Sequence, residues 1–146
     1  MFTAKNILVP TDFTEFSDRA IQAGVEIALQ NHGKLHLLHV VDKVQQCTVD
    51  YCIAQADVEK IQSDIDEEAI RKMHEETGKI PDADKLEVIY DVKTGTPYEE
   101  ILKEQRDFDS DLIIIAPHDG EGFLKRITGI VEHVTRDAKC PVLLVH

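Results

Sequence analysis

Five consecutive residues, Leu112-Ile113-Ile114-Ile115-Ala116, carry no polar side chain. A strand with one face in water alternates apolar and polar residues, so a run without alternation belongs to a strand covered on both faces. Few architectures offer such a place, and the parallel sheet sandwiched between helices is the main one. The sequence beyond the run fits that setting. A loop bearing Gly120 and Gly122 follows, a short helix is expected to begin near Gly129 and turn Val131, Val134 and Ala138 inward, and Pro141–Val145 reads as a second buried strand. Strand, glycine-bearing loop and helix start together form an arrangement that presents backbone N–H groups to an anion. Glycines also gather at turns for conformational reasons alone, so the stretch leaves both readings open.

The same alternation runs through the rest of the chain. Asn6–Pro10 is a short, apolar first strand, followed by the loop Thr11–Thr14, where Thr14 or Ser17 supplies a helix N-cap. Ala20, Ile21, Gly24, Val25, Ile27 and Ala28 share one face of the helix that follows. Asn31-His32-Gly33 stops it, with Gly33 suited to the left-handed position. Lys34–Val41 is the second strand and Asp42–Asp50 a loop. A long helix over Ile53–Thr77 turns Val58, Ile61, Ile65, Ala69 and Met73 inward and ends at Gly78. Leu86–Val92 alternates more than the other strands and belongs nearest an edge. Thr96-Pro97-Tyr98-Glu99 has the form of a capping box, and its helix buries Ile101 and Leu102 before ending near Arg106. The order βαβαβαβαβ has connections long enough for right-handed crossovers. It predicts one α/β domain over residues 1–146: a doubly wound, five-stranded, mostly parallel sheet of order 3-2-1-4-5 with helices on both faces.

Composition narrows the function classes. A chain of 146 residues suits one core, and 42% hydrophobic with 30% charged residues is a globular balance. No apolar run approaches the ~20 residues that span a bilayer. The N-terminal residues lead straight into the first strand, so no leader is expected. Three cysteines, an odd count, argue against a disulfide framework and for a reducing cytoplasm. A formal charge of −12 without a basic stripe speaks against nucleic-acid and anionic-membrane partners.

In a doubly wound sheet, ligands bind beyond the strand C-termini where the strand order reverses. That crevice lies between strands one and four, at Pro10–Thr14 and Ala116–Gly129. Asp12 there can accept hydrogen bonds from a ribose, or it can cap the first helix. His118 lies in the second loop, in reach of a ligand or simply solvated. His36 and His39, inside a strand, read as satisfied structural histidines. Cys47 and Cys52 are not in a C-x-x-C pattern, Cys140 reads as buried and inert, and no histidine pair has ligand spacing, so no metal is expected. There is no G-x-S-x-G elbow, no Walker A sequence and no G-x-G-x-x-G after the first strand. No nucleophile–base pair can be named, which points away from an enzyme.

Several segments resemble the universal stress protein family: N-I-L-V-P-T-D-F-T at the start, S-D-R-A-I-Q-A-G-V-E-I-A, L-H-L-L-H-V-V, D-S-D-L-I-I-I-A, and G-I-V-E-H-V-T-R-D-A-K-C-P-V-L-L-V near the end. The resemblance spans nearly the whole chain apart from the second helix and its flanks. It implies an adenine nucleotide alpha hydrolase-like fold and a homodimer paired through the C-terminal strand. Nucleotide-binding members carry G-x2-G-x9-G-[S/T] after the fourth strand. Laid on this chain, its positions fall on Ala116, Asp119, Gly129 and Ile130, and only Gly129 matches. Members that bind adenosine phosphates also use the Asp12 position for ribose and the backbone near Val41 for adenine. The implied site is therefore Pro10, Thr11, Asp12 and Val41 at the adenosine end, with Ala116, His118, Asp119, Gly129, Ile130 and Val131 at the phosphate end. Two functions follow as expectations: a non-enzymatic cytoplasmic stress-response regulator with weak or no ATP binding, or a switch that binds ATP or AMP, with Mg²⁺ for a triphosphate. A hydrolase or phosphotransferase is a third.

Overall fold

The structure, a computed structural model, describes residues 2–42, 55–117 and 124–146, with side chains throughout these except at 55–58 and 124–128. Strands β1 (Asn6–Pro10), β2 (Lys34–Asp42), β3 (Val88–Gly95), β4 (Leu112–Ile115) and β5 (Val142–Leu144) form one sheet of order β3-β2-β1-β4-β5. All of its pairings are parallel, as the expected order requires. The central strand is deeply buried, with Ile7, Leu8 and Val9 wholly inaccessible. Side chains alternate across it into two cores. Ile7 and Val9 join α1 (Glu15–Asn31) and α2 (Gln55–Gly78) on one face. Leu8 joins α3 (Pro97–Asp107) and α4 (Leu124–Asp137) on the other. Burying an aliphatic side chain of this size contributes roughly 1.5–3 kcal/mol. The non-alternating run Leu112–Ala116 feeds both cores, Ile114 with the first and Ile113 and Ile115 with the second.

Glycine lets α1 approach the sheet. A Cβ at Gly24 would lie 2.9 Å from both Leu35 Cδ1 and Val9 Cγ2. At the other end of α1 the expectation shifts by one residue. His32, not Gly33, takes the left-handed position, with φ 53. Gly33 is needed for a different reason: a Cβ there would stand 2.6 Å from the Lys5 carbonyl oxygen, where the chain turns into β2. Thr14 is the N-cap of α1, accepting from Ser17 N. The start of β1 is held by a carboxylate from far along the chain. Asp111 accepts from Lys5 N at 2.9–3.0 Å and from Asn6 N at 3.0 Å.

Five further expectations need correction. Helix α4 begins at Leu124, not near Gly129, because Leu-Lys-Arg is strongly helix-forming and one interior glycine costs only about 1 kcal/mol. Thr96 starts α3 with Pro97 in the first turn, yet its side chain makes no capping bond. Ile65 on α2 is 37% exposed rather than packed inward, because it borders an open cavity described below. β5 is not buried within one chain: Leu143 and Leu144, 39% and 36% exposed, lie on the unpaired edge of the sheet. β3, expected over Leu86–Val92, instead spans Val88–Gly95 on the opposite edge. Among the described residues no helix is long and apolar enough to cross a membrane.

Candidate functional site

β1 stops at Pro10, paired with Leu38, while β2 continues to Asp42. The chain beyond β1 therefore falls away from β2 and opens a crevice at the strand C-termini. Thr11 N still donates to Leu38 O at 2.8 Å. Lys34 N donates to Lys5 O, whereas Leu35 N donates to Glu87 O. Even-numbered residues of β2 thus turn their backbone groups toward β1 and odd-numbered ones toward β3. By that alternation Val40 faces the crevice with its N–H and C=O, while the buried Val41 pairs with Thr94 of β3.

The first crevice loop is tightly built. Thr11 is buried, its hydroxyl donating to Ser17 Oγ at 3.1 Å and accepting from Phe13 N at 3.2 Å. Asp12 is exposed, and its Oδ1 accepts from Thr14 N at 3.1 Å and from Thr14 Oγ1 at 2.6 Å. This Asx turn steadies the residue that caps α1. Phe13 adopts φ 64, a left-handed conformation that is unfavourable for a side chain of its size. Its ring lies 4.4 Å from that of His39, with the Lys72 ammonium 5.3 Å from its centroid. His39 Nδ1 donates to Thr11 O at 2.8 Å, so His39 is satisfied as expected. Burial moves its pKa down, favouring the neutral ring. Phe13 and His39, with Ile61, Ile65, Ala69 and Lys72 of α2, line a cavity of about 450 Å³ on the α1–α2 side of the sheet. That volume falls within the range of small-molecule pockets.

The second crevice wall differs from expectation. Ala116 is buried at the end of β4. His118 and Asp119 lie outside the described residues, as do Cys47 and Cys52. Gly129 sits in the second turn of α4, so its amide is spent within the helix rather than standing at its N-terminus. Among the described residues, nothing lies within 4 Å of where a Cβ on Gly129 would stand. Ile130 and Val131 pack against the core formed by Ile101, Ile115 and Val134. Cys140 is a free, half-buried thiol whose pKa is raised by burial.

A second polar cluster was not legible in the sequence. His36 on β2, expected to be satisfied, is 4% exposed and has no hydrogen-bond partner at either ring nitrogen among the described residues. Its Nε2 lies 3.5 Å from Glu104 Oε2 of α3 and 3.8 Å from Asp91 Oδ2 of β3. Glu104 is 1% exposed, and its Oε2 also lacks a hydrogen bond. Lys93 Nζ stands 3.7 Å from both Asp91 Oδ2 and Glu104 Oε1. Burial, then the Asp91 charge, push the Glu104 carboxyl up to about 7. Burial also lowers the pKa of His36. The sole hint in the sequence was a charged residue, Glu104, beside the apolar positions of its helix. Its partners come from two other elements with no local spacing to reveal them.

The fold and its details have counterparts among known proteins. Universal stress protein MJ0577 of Methanocaldococcus jannaschii is 31% identical over 153 residues, covering 97% of this chain and 94% of that protein. The solved MJ0577 structure superposes with a TM-score of 0.79 at 29% identity, over 99% of this chain and 96% of that one. A universal stress protein in complex with cAMP (TM-score 0.67, 18% identity, 99% and 98% coverage) and one from Archaeoglobus fulgidus in complex with dAMP (0.61, 13%, 100% of both chains) share the fold. The universal stress protein family model matches residues 3–146, and with these likenesses in sequence and fold the chain belongs to that family.

Proposed function

We propose that this chain is a non-enzymatic regulatory protein of the stress response, with a crevice that accepts an adenosine moiety but holds its outer phosphates poorly. Support at the adenosine end comes from the braced Thr11–Thr14 loop, the exposed Asp12 carboxylate and the backbone of Val40 turned toward the crevice. Proteins of the same fold crystallised with cAMP and dAMP hold an adenine nucleotide with a single phosphate. The observation that carries the reading is at the other end. Ile130 stands where nucleotide-binding members place a hydroxyl, and here it packs into the core between α3 and α4. It has no donor for a phosphate oxygen, and a hydrogen bond to a charged group contributes about 1.5–3 kcal/mol. Asp119 falls at a glycine position of that pattern, so the pattern puts a negative charge where those members keep none. At roughly 1.4 kcal/mol per tenfold, these losses weaken triphosphate binding by about a hundredfold or more. No nucleophile–base pair stands in the crevice among the described residues, which supports binding rather than turnover.

The exposed apolar edge of β5 supports an isologous homodimer joined along that strand, since such an edge invites pairing with a second copy. Calorimetry with adenosine, AMP and Mg²⁺-ATP tests the nucleotide reading. The expected order is adenosine and AMP ahead of ATP. Low-micromolar ATP binding by the unmodified protein would overturn it in favour of an ATP-dependent switch.

A further inference from the structure

We propose that His36, Asp91 and Glu104 form a binding site for a divalent transition-metal ion of the zinc type, away from the nucleotide crevice and guarded by Lys93. The three residues each offer a ligand atom, all within 4.8 Å of one another. In a tetrahedral zinc site with bonds of about 2.0–2.1 Å, ligand atoms stand roughly 3.4 Å apart. The distances from His36 Nε2 to Glu104 Oε2 and to Asp91 Oδ2, 3.5 and 3.8 Å, come close to that edge length. They are long for hydrogen bonds, and neither the imidazole nor Glu104 Oε2 has another partner.

Buried polar atoms ordinarily find partners, because leaving one unpaired costs about 1–3 kcal/mol. Here two residues at least 96% buried, His36 and Glu104, leave such atoms converging on one point. An ion at that point would satisfy His36 Nε2 and Glu104 Oε2. One imidazole with two carboxylates is a donor set of nitrogen and oxygen, suited to Zn²⁺ or Mn²⁺ and poor for Mg²⁺ or Ca²⁺, which prefer oxygen alone. Three protein ligands leave a fourth position for water, reached past the partly exposed Asp91.

The backbone brings the donors together by register. His36 pairs with Ile89, so Asp91 and Lys93 follow on the same face of β3, under α3. Phe108 packs edge-on against the His36 ring at 4.3 Å and closes the far side. Lys93 is the competing cation. Its side chain is 41% exposed, long enough to swing into solvent, and it shares both carboxylates at 3.7 Å. An entering dication would displace it. The sequence reading expected no metal because it looked for closely spaced histidines and cysteines; these donors come from three separate elements.

Equilibrium dialysis of the chelator-stripped full chain against Zn²⁺, with the zinc-induced rise in thermal midpoint as second readout, tests the site. Other histidines and the thiols take up zinc too, so differences between variants decide. His36→Gln and Glu104→Gln should each lose one zinc equivalent and most of the midpoint rise. Lys93→Met should bind that equivalent about tenfold more tightly, because a positive charge near the ion is gone. Such a gain cannot come from structural damage, so it decides the matter even if a buried substitution fails to fold. Wild-type zinc uptake unchanged by all three substitutions, or Lys93→Met without tighter binding, would overturn the proposal.

Discussion

Gly129 offers a test that separates a packing role from a ligand role. In helix α4, no described residue comes near where its Cβ would go, and its backbone is helical. Alanine therefore meets no steric cost. It gains the helix-propensity difference of about 0.8–1.0 kcal/mol over glycine in a helix interior. With an unfolding entropy of roughly 2.1 cal/mol/K per residue, a chain of 146 residues has about 0.3 kcal/mol/K, so the midpoint should rise by about 3 °C. Gly24→Ala is the opposing control. Its Cβ would lie 2.9 Å from Leu35 and Val9 side chains, and overpacking of this kind costs typically 1–3 kcal/mol. Thermal and urea unfolding of both variants give the stabilities, and calorimetry with AMP gives the binding. Gly129→Ala should be more stable than wild type and should bind AMP within about twofold of it, since the amide is already engaged in the helix. A destabilised variant would refute the helical placement of Gly129. A stable variant that no longer binds AMP would show that a ligand's backbone approach, not packing, requires glycine there.

Other outcomes follow from single features. Burial, then Glu76 as hydrogen-bond partner and charge, raise the Asp18 pKa from 3.8 to about 6, with Lys79 opposing and Glu15 adding to the shift. A carboxyl raised on folding favours the native state at low pH and loses that advantage as pH climbs through the folded value. Asp18→Asn should thus stabilise the protein at pH 7 by about 1 kcal/mol, well under the roughly 3 kcal/mol that the full shift implies, because solvent screens the group and a negative charge in the first turn of α1 is lost. The gain should vanish below about pH 4, and urea unfolding across that range checks it. Leu143→Lys should give monomers or insoluble protein, read by sedimentation velocity; a wild type that is itself monomeric at micromolar concentration would refute the edge pairing. Asp119→Gly with Ile130→Ser should strengthen ATP binding measured by calorimetry, while losing about 1–3 kcal/mol of stability because Ile130 packs against the α3–α4 core.

The parallel sheet was legible because most strands are apolar runs and each crossover is long. The loop Thr11–Thr14 was placed correctly for the same reason: it follows the end of the first strand. What escaped was set by competition between local rules. Gly129 suggested a helix start, yet the helix-forming Leu124–Arg126 segment carries α4 past it toward the N-terminus. His32 accepts a left-handed backbone at the end of α1 because Gly33 is committed to a close backbone approach. Ile65 fits the inward helical period, but it faces a cavity rather than packed side chains. His36 was misjudged because satisfaction depends on partners from β3 and α3, and no spacing along the chain encodes their distance.

The carboxylate of Asp111 grips the start of β1 across 105–106 positions of sequence. β1 occupies the middle of the sheet, yet one of its neighbours, β4, is made only in the last third of the chain. During synthesis from the N-terminus, β1 therefore waits with one edge open while α1, β2, α2 and β3 emerge. That open edge is apolar and able to pair with any strand it meets. The same wait imposes a large sequence separation on the closing contact, which slows folding. A chain halted at Gly95 should consequently aggregate, and one extended through Leu144 should not, as turbidity of the two products during cell-free synthesis would record.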